Sequence, residues 1–427
     1  MRRFWVSLIL LGTAAKASAG LLSPLYDEVE ANGARMYAVR PFYSSVETDE
    51  RWEKDYLWPL YVRKGFKDET YVRFFALGWH NDFSSDEGRE RTWLLPIYFQ
   101  GRAADGENYF ALFPLGGHLR DFFGRDRIDF ALFPLWARSQ VNEVKTTSVL
   151  WPIYSRTQGD GVDRFRVWPF YGESTLEGSY QKKFVLWPIY SSVEYTNPGN
   201  PGGGFILFPL YGHVQTEKGD NRWVLPPFFR FAEGGDQRII NAPWPFIQLS
   251  DGRVYKRYLW PLYGKKQAGS TTRQFWLWPV IWDSKTELND RTQERFNVMP
   301  FFYSEKEVLT QTDGDAQVGE AVSNYWKIWP LMSWDRREES SRFRLLDLWP
   351  MRETDGVERN WAPLWTLYSR LENDGGVQHR LLWGIYEQEK DIGNSEWSLL
   401  KGLVKYKKTE RGSSFRLLFI RFGNSEK

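Results

Sequence analysis

The sequence predicts an all-β fold, an antiparallel up-and-down meander of about twenty repeated strands. A core of the form Trp or Phe, Pro, aliphatic residue, Tyr recurs along the chain, mostly every 16 to 21 residues. Asp-Gly and Asn-Gly types of turn signal separate the cores, and such residues tolerate the positive φ of tight hairpins. Because each unit also contains a proline that would break a helix, the pattern favours strands.

The first nineteen residues have the features of a secretory signal. Arg2 and Arg3 precede a short apolar run, and Ala17-Ser18-Ala19 supplies the small residues of a cleavage site. The run is shorter than the roughly 20 apolar residues that a membrane-spanning helix needs. We therefore expect residues 1–19 to be a cleaved signal peptide and residues 20–427 to form a single β-repeat domain.

Composition excludes several classes of site. The chain has no cysteine, which excludes disulfides, thiolate metal sites and a nucleophilic thiol. Removal of the signal leaves 53 basic residues against 54 acidic ones, so the charge gives no reason to expect nucleic acid or an anionic membrane surface as partner. The 23 Trp, 22 Tyr and 30 Phe residues predict that much aromatic area is available for packing or lipid contact.

The repeat cores are taken as the middles of strands of roughly 12 to 14 residues each. The clearest copies are Leu57–Tyr61, Leu150–Tyr154, Leu186–Tyr190 and Leu259–Tyr263, and glycine replaces the proline at Gly78, Gly384 and Gly402. A proline inside a strand removes one ladder donor, so we expect a bulge at this level of the sheet. The one long connection is an acidic loop at 304–324.

The faces of a sample segment, Lys183 to Ser192, are both apolar for five or six residues. At about 3.3 Å per residue this predicts a two-sided apolar band roughly 20 Å tall. Such a band favours a transmembrane β-barrel. Ser414 to Phe422 also resembles the terminal strand of Gram-negative outer-membrane barrels, although Gly423 to Lys427 follow it. A soluble β-solenoid and a propeller-like stack stay open, because a water-filled barrel would have a polar inner face.

No catalytic signature is present: the sequence contains no nucleophile elbow, phosphate loop or metal-spaced histidine pair. We expect a protein that is not an enzyme and that uses no cofactor or metal. His80, His118 and His213 each follow a repeat centre by two to four residues. They are interpreted as polar residues at strand ends, with a metal-binding or proton-sensing role at a common rim as the alternative.

Two lysines accompany the late repeats. Lys401 and Lys405 alternate with leucines on one face of a strand predicted over Glu396 to Lys408. They would line a lumen if that face looks inward, or protect a sheet edge from unwanted pairing.

The predicted function is a non-enzymatic outer-membrane β-barrel that acts as a pore, export conduit or envelope-structural protein, with outer-membrane lipid as its partner. The alternative is a soluble periplasmic or surface scaffold that binds glycan or protein.

Overall fold

The computed structural model describes residues 22–31, 33–67, 69–83, 89–310, 321–337, 340–410, 412–418 and 420–423. The signal peptide predicted at 1–19 lies outside these residues. The chain forms two compact units: unit 1 contains residues 1–76 and 279–427, and unit 2 contains residues 77–278. The described residues form 41 strands, all antiparallel and in meander order. The predicted all-β meander is therefore confirmed.

In unit 1 each strand pairs with its sequence neighbours, first along β1 to β6 and then along β29 to β41. The strands are β1 (Tyr26–Ala31), β2 (Ala34–Val39), β3 (Tyr43–Glu47), β4 (Arg51–Tyr56), β5 (Tyr61–Phe66), β6 (Glu69–Phe74), β29 (Ile281–Glu287), β30 (Arg291–Val298), β31 (Phe302–Leu309), β32 (Ala321–Ile328), β33 (Met332–Arg337), β34 (Ser340–Leu345), β35 (Tyr368–Asn373), β36 (Gly376–Leu381), β37 (Tyr386–Asp391), β38 (Asn394–Leu399), β39 (Val404–Thr409), β40 (Gly412–Leu417) and β41 (Ile420–Gly423).

Unit 2 is an uninterrupted ladder from β7 to β28. The strands are β7 (Gly78–Phe83), β8 (Arg89–Leu94), β9 (Tyr98–Arg102), β10 (Asn108–Leu112), β11 (Gly116–Phe122), β12 (Arg125–Ala131), β13 (Trp136–Val141), β14 (Val144–Val149), β15 (Tyr154–Gly159), β16 (Val162–Val167), β17 (Tyr171–Leu176), β18 (Tyr180–Val185), β19 (Tyr190–Tyr195), β20 (Gly202–Leu207), β21 (Tyr211–Thr216), β22 (Gly219–Val224), β23 (Phe229–Gly234), β24 (Gln237–Asn241), β25 (Ile247–Asp251), β26 (Val254–Leu259), β27 (Tyr263–Ala268) and β28 (Thr271–Trp276).

The predicted count of about twenty strands is wrong because each repeat is a hairpin of two strands. In the sample segment, β18 ends at Val185, Leu186 to Ile189 form a four-residue loop, and β19 begins at Tyr190. Val185 and Tyr190 are the ladder partners that close the loop. A proline in a loop removes no ladder donor, so the bulge that a mid-strand proline would require does not arise.

The structure also corrects the predictions for two other segments. Ser414 to Phe422 is not one strand, since β40 and β41 pair as a hairpin, with Phe415 opposite Phe422. The loop predicted at 304–324 overlaps β31 and β32, which are eight-residue strands, and residues 311–320 lie outside the described residues. Among the described residues of unit 1, β1 pairs with β2 alone and β41 with β40 alone, so the predicted closure into a barrel is unconfirmed.

Two features interrupt the regular ladder. In unit 1 an insertion at 346–367, between β34 and β35, contains the helices α1 (Asp355–Asn360) and α2 (Ala362–Trp365), and a 3-10 turn follows at Leu382–Gly384. In unit 2 an apolar core lies on β9 to β12 and consists of Phe99, Tyr109, Ala111, Leu119, Phe122 and Phe130.

Candidate functional site

The repeat cores form one end of the hairpins, which we name the apolar rim. In unit 2 the rim consists of the loops at 95–97, 113–115, 132–135, 150–153, 168–170, 186–189, 208–210, 225–228, 242–246 and 260–262. The polar turn signals form the opposite ends, for example at 160–161, 177–179 and 235–236. The apolar residues therefore lie at one end of the sheet, and the predicted band across the middle of each strand is wrong.

Backbone hydrogen bonds fasten each rim loop to the loop before it. In the loop at 150–153, Leu150 N donates to Leu135 O and Trp151 N donates to Pro134 O, each at 2.8 Å. Ile153 N then donates to Leu150 O at 2.8 Å, and the remaining residue is Pro152, which has no N–H. The loop at 186–189 repeats this arrangement. Every backbone donor of these two loops is therefore paired within the protein.

The side chains of the rim stack on one another yet stay exposed. Phe133 lies between Phe113 and Trp151, with ring centroids 5.4 and 5.8 Å away. Trp151 remains 51% exposed and Leu210 58% exposed. Single exposed apolar residues are ordinary on a protein surface, but a row of them along successive loops is not.

A row of tyrosines lies beside the rim in unit 1. Tyr26, Tyr37, Tyr43, Tyr56 and Tyr61 follow one another across β1 to β5, with centroid separations of 5.1 to 5.9 Å. The pairs are tilted or edge-to-face, the geometry that aromatic rings prefer when they pack together. This contact between rings favours packing over the stacking of a sugar on them.

The three predicted histidines lie at one level of unit 2 but on separate strands. His80, His118 and His213 are each the third residue of their strand, on β7, β11 and β21. Three strands lie between the first two, so four strand spacings, about 19 Å, separate them. Each has its own hydrogen-bond partner: Thr92 Oγ1 at 2.8 Å, Asn108 O at 2.9 Å and Asp220 Oδ1 at 3.1 Å, respectively.

The two predicted lysines do not share a strand face. Lys401 lies in the loop between β38 and β39, where Gly402 replaces the proline of the repeat, and its Nζ donates to Ser23 O. Lys405 lies on β39 and forms an ion pair with Glu396. The single strand predicted over Glu396 to Lys408 is therefore a hairpin, and the alternation with leucines does not exist.

A buried charge cluster in the insertion was not predicted. Lys327 of β32 is 0% exposed, and its Nζ donates to the carbonyl oxygens of Trp349 and Met351, each at 2.8 Å. The same Nζ lies 3.0 Å from Asp347 Oδ1 and forms an ion pair with Glu353. Burial and hydrogen bonding to Asp347 raise the pKa of Glu353.

The helix α1 extends this buried network to the N-terminal strands of unit 1. Glu358 accepts hydrogen bonds from Arg342 at 2.8 Å and from Arg344 at 3.1 Å, both on β34. The next residue, Arg359, points the other way and donates to Asp55 Oδ2 of β4 at 2.6 Å. The insertion therefore contacts β34 and β4, which are far apart in the sequence.

No protein family and no curated protein matches the chain. Within the described residues, no helix has the length and apolar character to cross a membrane. The same part of the chain contains no group of three or more His, Asp or Glu side chains placed to hold a metal ion.

Proposed function

We propose that this chain is an exported, non-enzymatic protein of the outer membrane that serves as an envelope-structural element. The observation that carries the proposal is the apolar rim, whose loops expose Leu, Ile, Phe and Trp side chains in both units. In unit 2 alone about twenty such side chains, each about half exposed, present on the order of 1,000 Å², against a few hundred for the largest patch of a typical monomer. Membrane lipid is the partner that suits a row of this extent.

The pairing of the rim backbone supports lipid as the partner. Water is absent from the interior of a bilayer, so a backbone donor without a protein partner costs several kcal/mol there. The loops at 150–153 and 186–189 leave no such donor, because their N–H groups are bonded to the preceding loop or within the same loop, and proline has no N–H. Tryptophan in these loops also suits the boundary between lipid and water.

The strands themselves do not suit the lipid interior. Those of unit 2 have five to seven residues, whereas a membrane-spanning strand has about 9–11. In the hairpin of β18 and β19, Lys182 and Lys183 lie on opposite faces, four and three positions before the rim loop, and Glu194 lies farther away. We therefore propose that the rim enters one lipid leaflet while the polar parts of the strands remain in water. A pore or export conduit would need longer apolar strands.

Flotation with phosphatidylcholine vesicles tests the proposal. The full mature chain, residues 20–427, should float with the vesicles. The triple variant Leu150→Ser, Trp151→Ser, Trp187→Ser should bind at least about tenfold more weakly, because each buried apolar side chain contributes roughly 1.5–3 kcal/mol. Fractionation of the native cells should recover the protein with the outer membrane.

A matched control replaces exposed apolar residues at the polar ends of hairpins: Phe123→Ser, Leu288→Ser and Ile392→Ser. This variant should float like the wild type. Recovery of the wild type in the soluble fraction, with no flotation, would overturn the proposal and favour a soluble scaffold that binds glycan or protein.

A further inference from the structure

Three cationic side chains lie side by side on one face of unit 2. Lys256 on β26 is the ladder partner of Lys266 on β27, and Lys266 is the partner of Arg273 on β28. Ladder partners point to the same face of a sheet, so the three side chains form a row across adjacent strands. We name these residues the cation row.

The cation row lacks the counter-charges found elsewhere in the protein. Elsewhere in unit 2, for example, Lys183 faces the acid Glu173 with an Nζ–Oε1 distance of 3.4 Å. Within the described part of unit 2, no member of the cation row is ion-paired with a carboxylate. Lys256 instead donates to the Gln248 side chain at 3.0 Å. Like charges placed opposite each other are destabilising, so this arrangement favours an anion as their common partner.

An acid on the adjacent strand β25 serves the other face. Asp251 forms an ion pair with Arg257, and Arg257 is the ladder partner of Lys265, so the opposite face is also basic. Burial, with repulsion from Lys266 as a second cause, lowers the pKa of Lys256.

Aromatic rings separate the cation row from the rim. Gly264 is the ladder partner of both Tyr258 and Phe275, and a Cβ at Gly264 would lie 2.1 Å from the Phe275 ring. The two rings therefore meet over the glycine, with centroids 5.2 Å apart. The Tyr258 ring also lies 4.9 Å from Lys256 Nζ. The face thus changes from apolar to cationic within a few residues of the rim.

The level of the cation row matches that of a lipid headgroup. Lys256 precedes the rim residue Trp260 by four positions, and Lys266 follows the rim residue Leu262 by four. Arg273 likewise precedes Leu277, the first residue after β28, by four positions. Four residues of strand span about 13 Å, and an apolar edge typically enters a membrane by about 5–10 Å. We propose that Lys256, Lys266 and Arg273 bind the phosphate group of an anionic lipid headgroup, an assignment that rests on the proposed insertion of the rim.

The test compares neutral vesicles of phosphatidylcholine with vesicles that also contain phosphatidic acid. The full mature chain should bind the anionic vesicles more tightly. In the variant Lys256→Gln, Lys266→Gln, Arg273→Gln this preference should fall at least about tenfold, because three charges would no longer meet at one headgroup phosphate. Its binding to neutral vesicles should not change.

The control variant Lys145→Gln, Arg164→Gln, Lys182→Gln removes the same charge from three separate strands and should keep the preference for anionic vesicles. Titration with inorganic pyrophosphate tests for a soluble source of phosphate. The lipid assignment is overturned if the wild type binds pyrophosphate, the row variant does not, and the wild type shows no preference for anionic vesicles. A row variant that equals the wild type in both assays overturns the site itself. Failure of the rim variant to lose neutral-vesicle binding counts against the proposed function alone.

Discussion

The Arg359 side chain donates a hydrogen bond to the Asp55 carboxylate across 2.6 Å, although 304 residues separate them in the sequence. The side chains are 4% and 0% exposed, respectively. Asn360 Nδ2 and Ser44 Oγ donate to the same carboxylate oxygen, at 2.8 and 3.2 Å. This contact fastens the insertion of unit 1 to the N-terminal strands.

Substitution Arg359→Met should destabilise unit 1 by about 3–5 kcal/mol, because it leaves the Asp55 charge buried without its cation. The double variant Arg359→Met, Asp55→Asn should recover part of this loss. Urea unfolding gives the free energies. The exposed pair of Arg35 and Glu30, at 3.4 Å, is the control, and Arg35→Met should cost less than about 1 kcal/mol. Equal losses of stability in Arg359→Met and Arg35→Met would contradict the prediction.

Substitution Lys327→Met should also cost about 3–5 kcal/mol, since Asp347 and Glu353 would lose the buried cation between them. Replacing both acids as well, by Asp347→Asn and Glu353→Gln, should restore part of the stability. The same unfolding measurement applies, with Lys285→Met as a control at an exposed ion pair. A fully additive set of losses would show that the three groups do not act together.

Acid should destabilise unit 1. Burial raises the pKa of Glu358, but the Arg342 and Arg344 guanidinium groups lower it more, so the net pKa lies below the ordinary value of 4.5. The unfolded chain then takes up a proton near pH 4.5 that the folded chain does not bind. The stability from this group is therefore present above pH 4.5 and is lost as the pH falls below it.

Urea unfolding midpoints between pH 7 and pH 3 test this dependence, with Glu358→Gln expected to flatten the slope. If that variant does not fold, Glu53→Gln replaces it, since Arg359 and Lys64 likewise lower the pKa of Glu53 against the effect of burial. An unchanged slope in a folded variant would contradict the prediction.

Substitution Gly356→Ala should loosen the insertion. An ideal Cβ at Gly356 would lie 2.1 Å from Trp58 Nε1, so the helix α1 and the rim loop of β4 and β5 would have to separate. We expect a loss of about 1–3 kcal/mol, as for other overpacked sites. Gly199→Ala is the matched control, because its nearest neighbour would lie at 3.4 Å. A thermal shift of the same size in both variants would be the contrary result.

Local pattern predicted much of the fold but assigned one turn too few to each repeat. Asp160-Gly161 and Gly235-Asp236 were recognised as turns from their residue types, and the structure confirms them. Trp-Pro in an apolar context, as at Trp187-Pro188, was interpreted as the middle of a strand. Periodicity does not distinguish the middle of a strand from a loop here, because an apolar four-residue loop between two strands also gives an uninterrupted apolar run.

The charge cluster of the insertion gave no comparable signal. Glu358 and Arg359 lie in a segment that resembles ordinary polar sequence, whereas Lys327 and Asp55 lie in regular strand repeats. Their burial results from contacts between segments that are up to about 300 residues apart, which no local pattern encodes.

The sequence by itself determined that this protein is a β-meander built from a Trp/Phe-Pro-aliphatic core, because strand propensity, proline and turn residues act over a few neighbouring positions. Only the tertiary structure decided that each core is a hairpin loop, which turns a band across the sheet into an exposed apolar rim at its end. It also decided that Lys256, Lys266 and Arg273 face one another and that Arg359 reaches Asp55. These relationships depend on strand register and on long-range packing, which become visible only when the chain is folded.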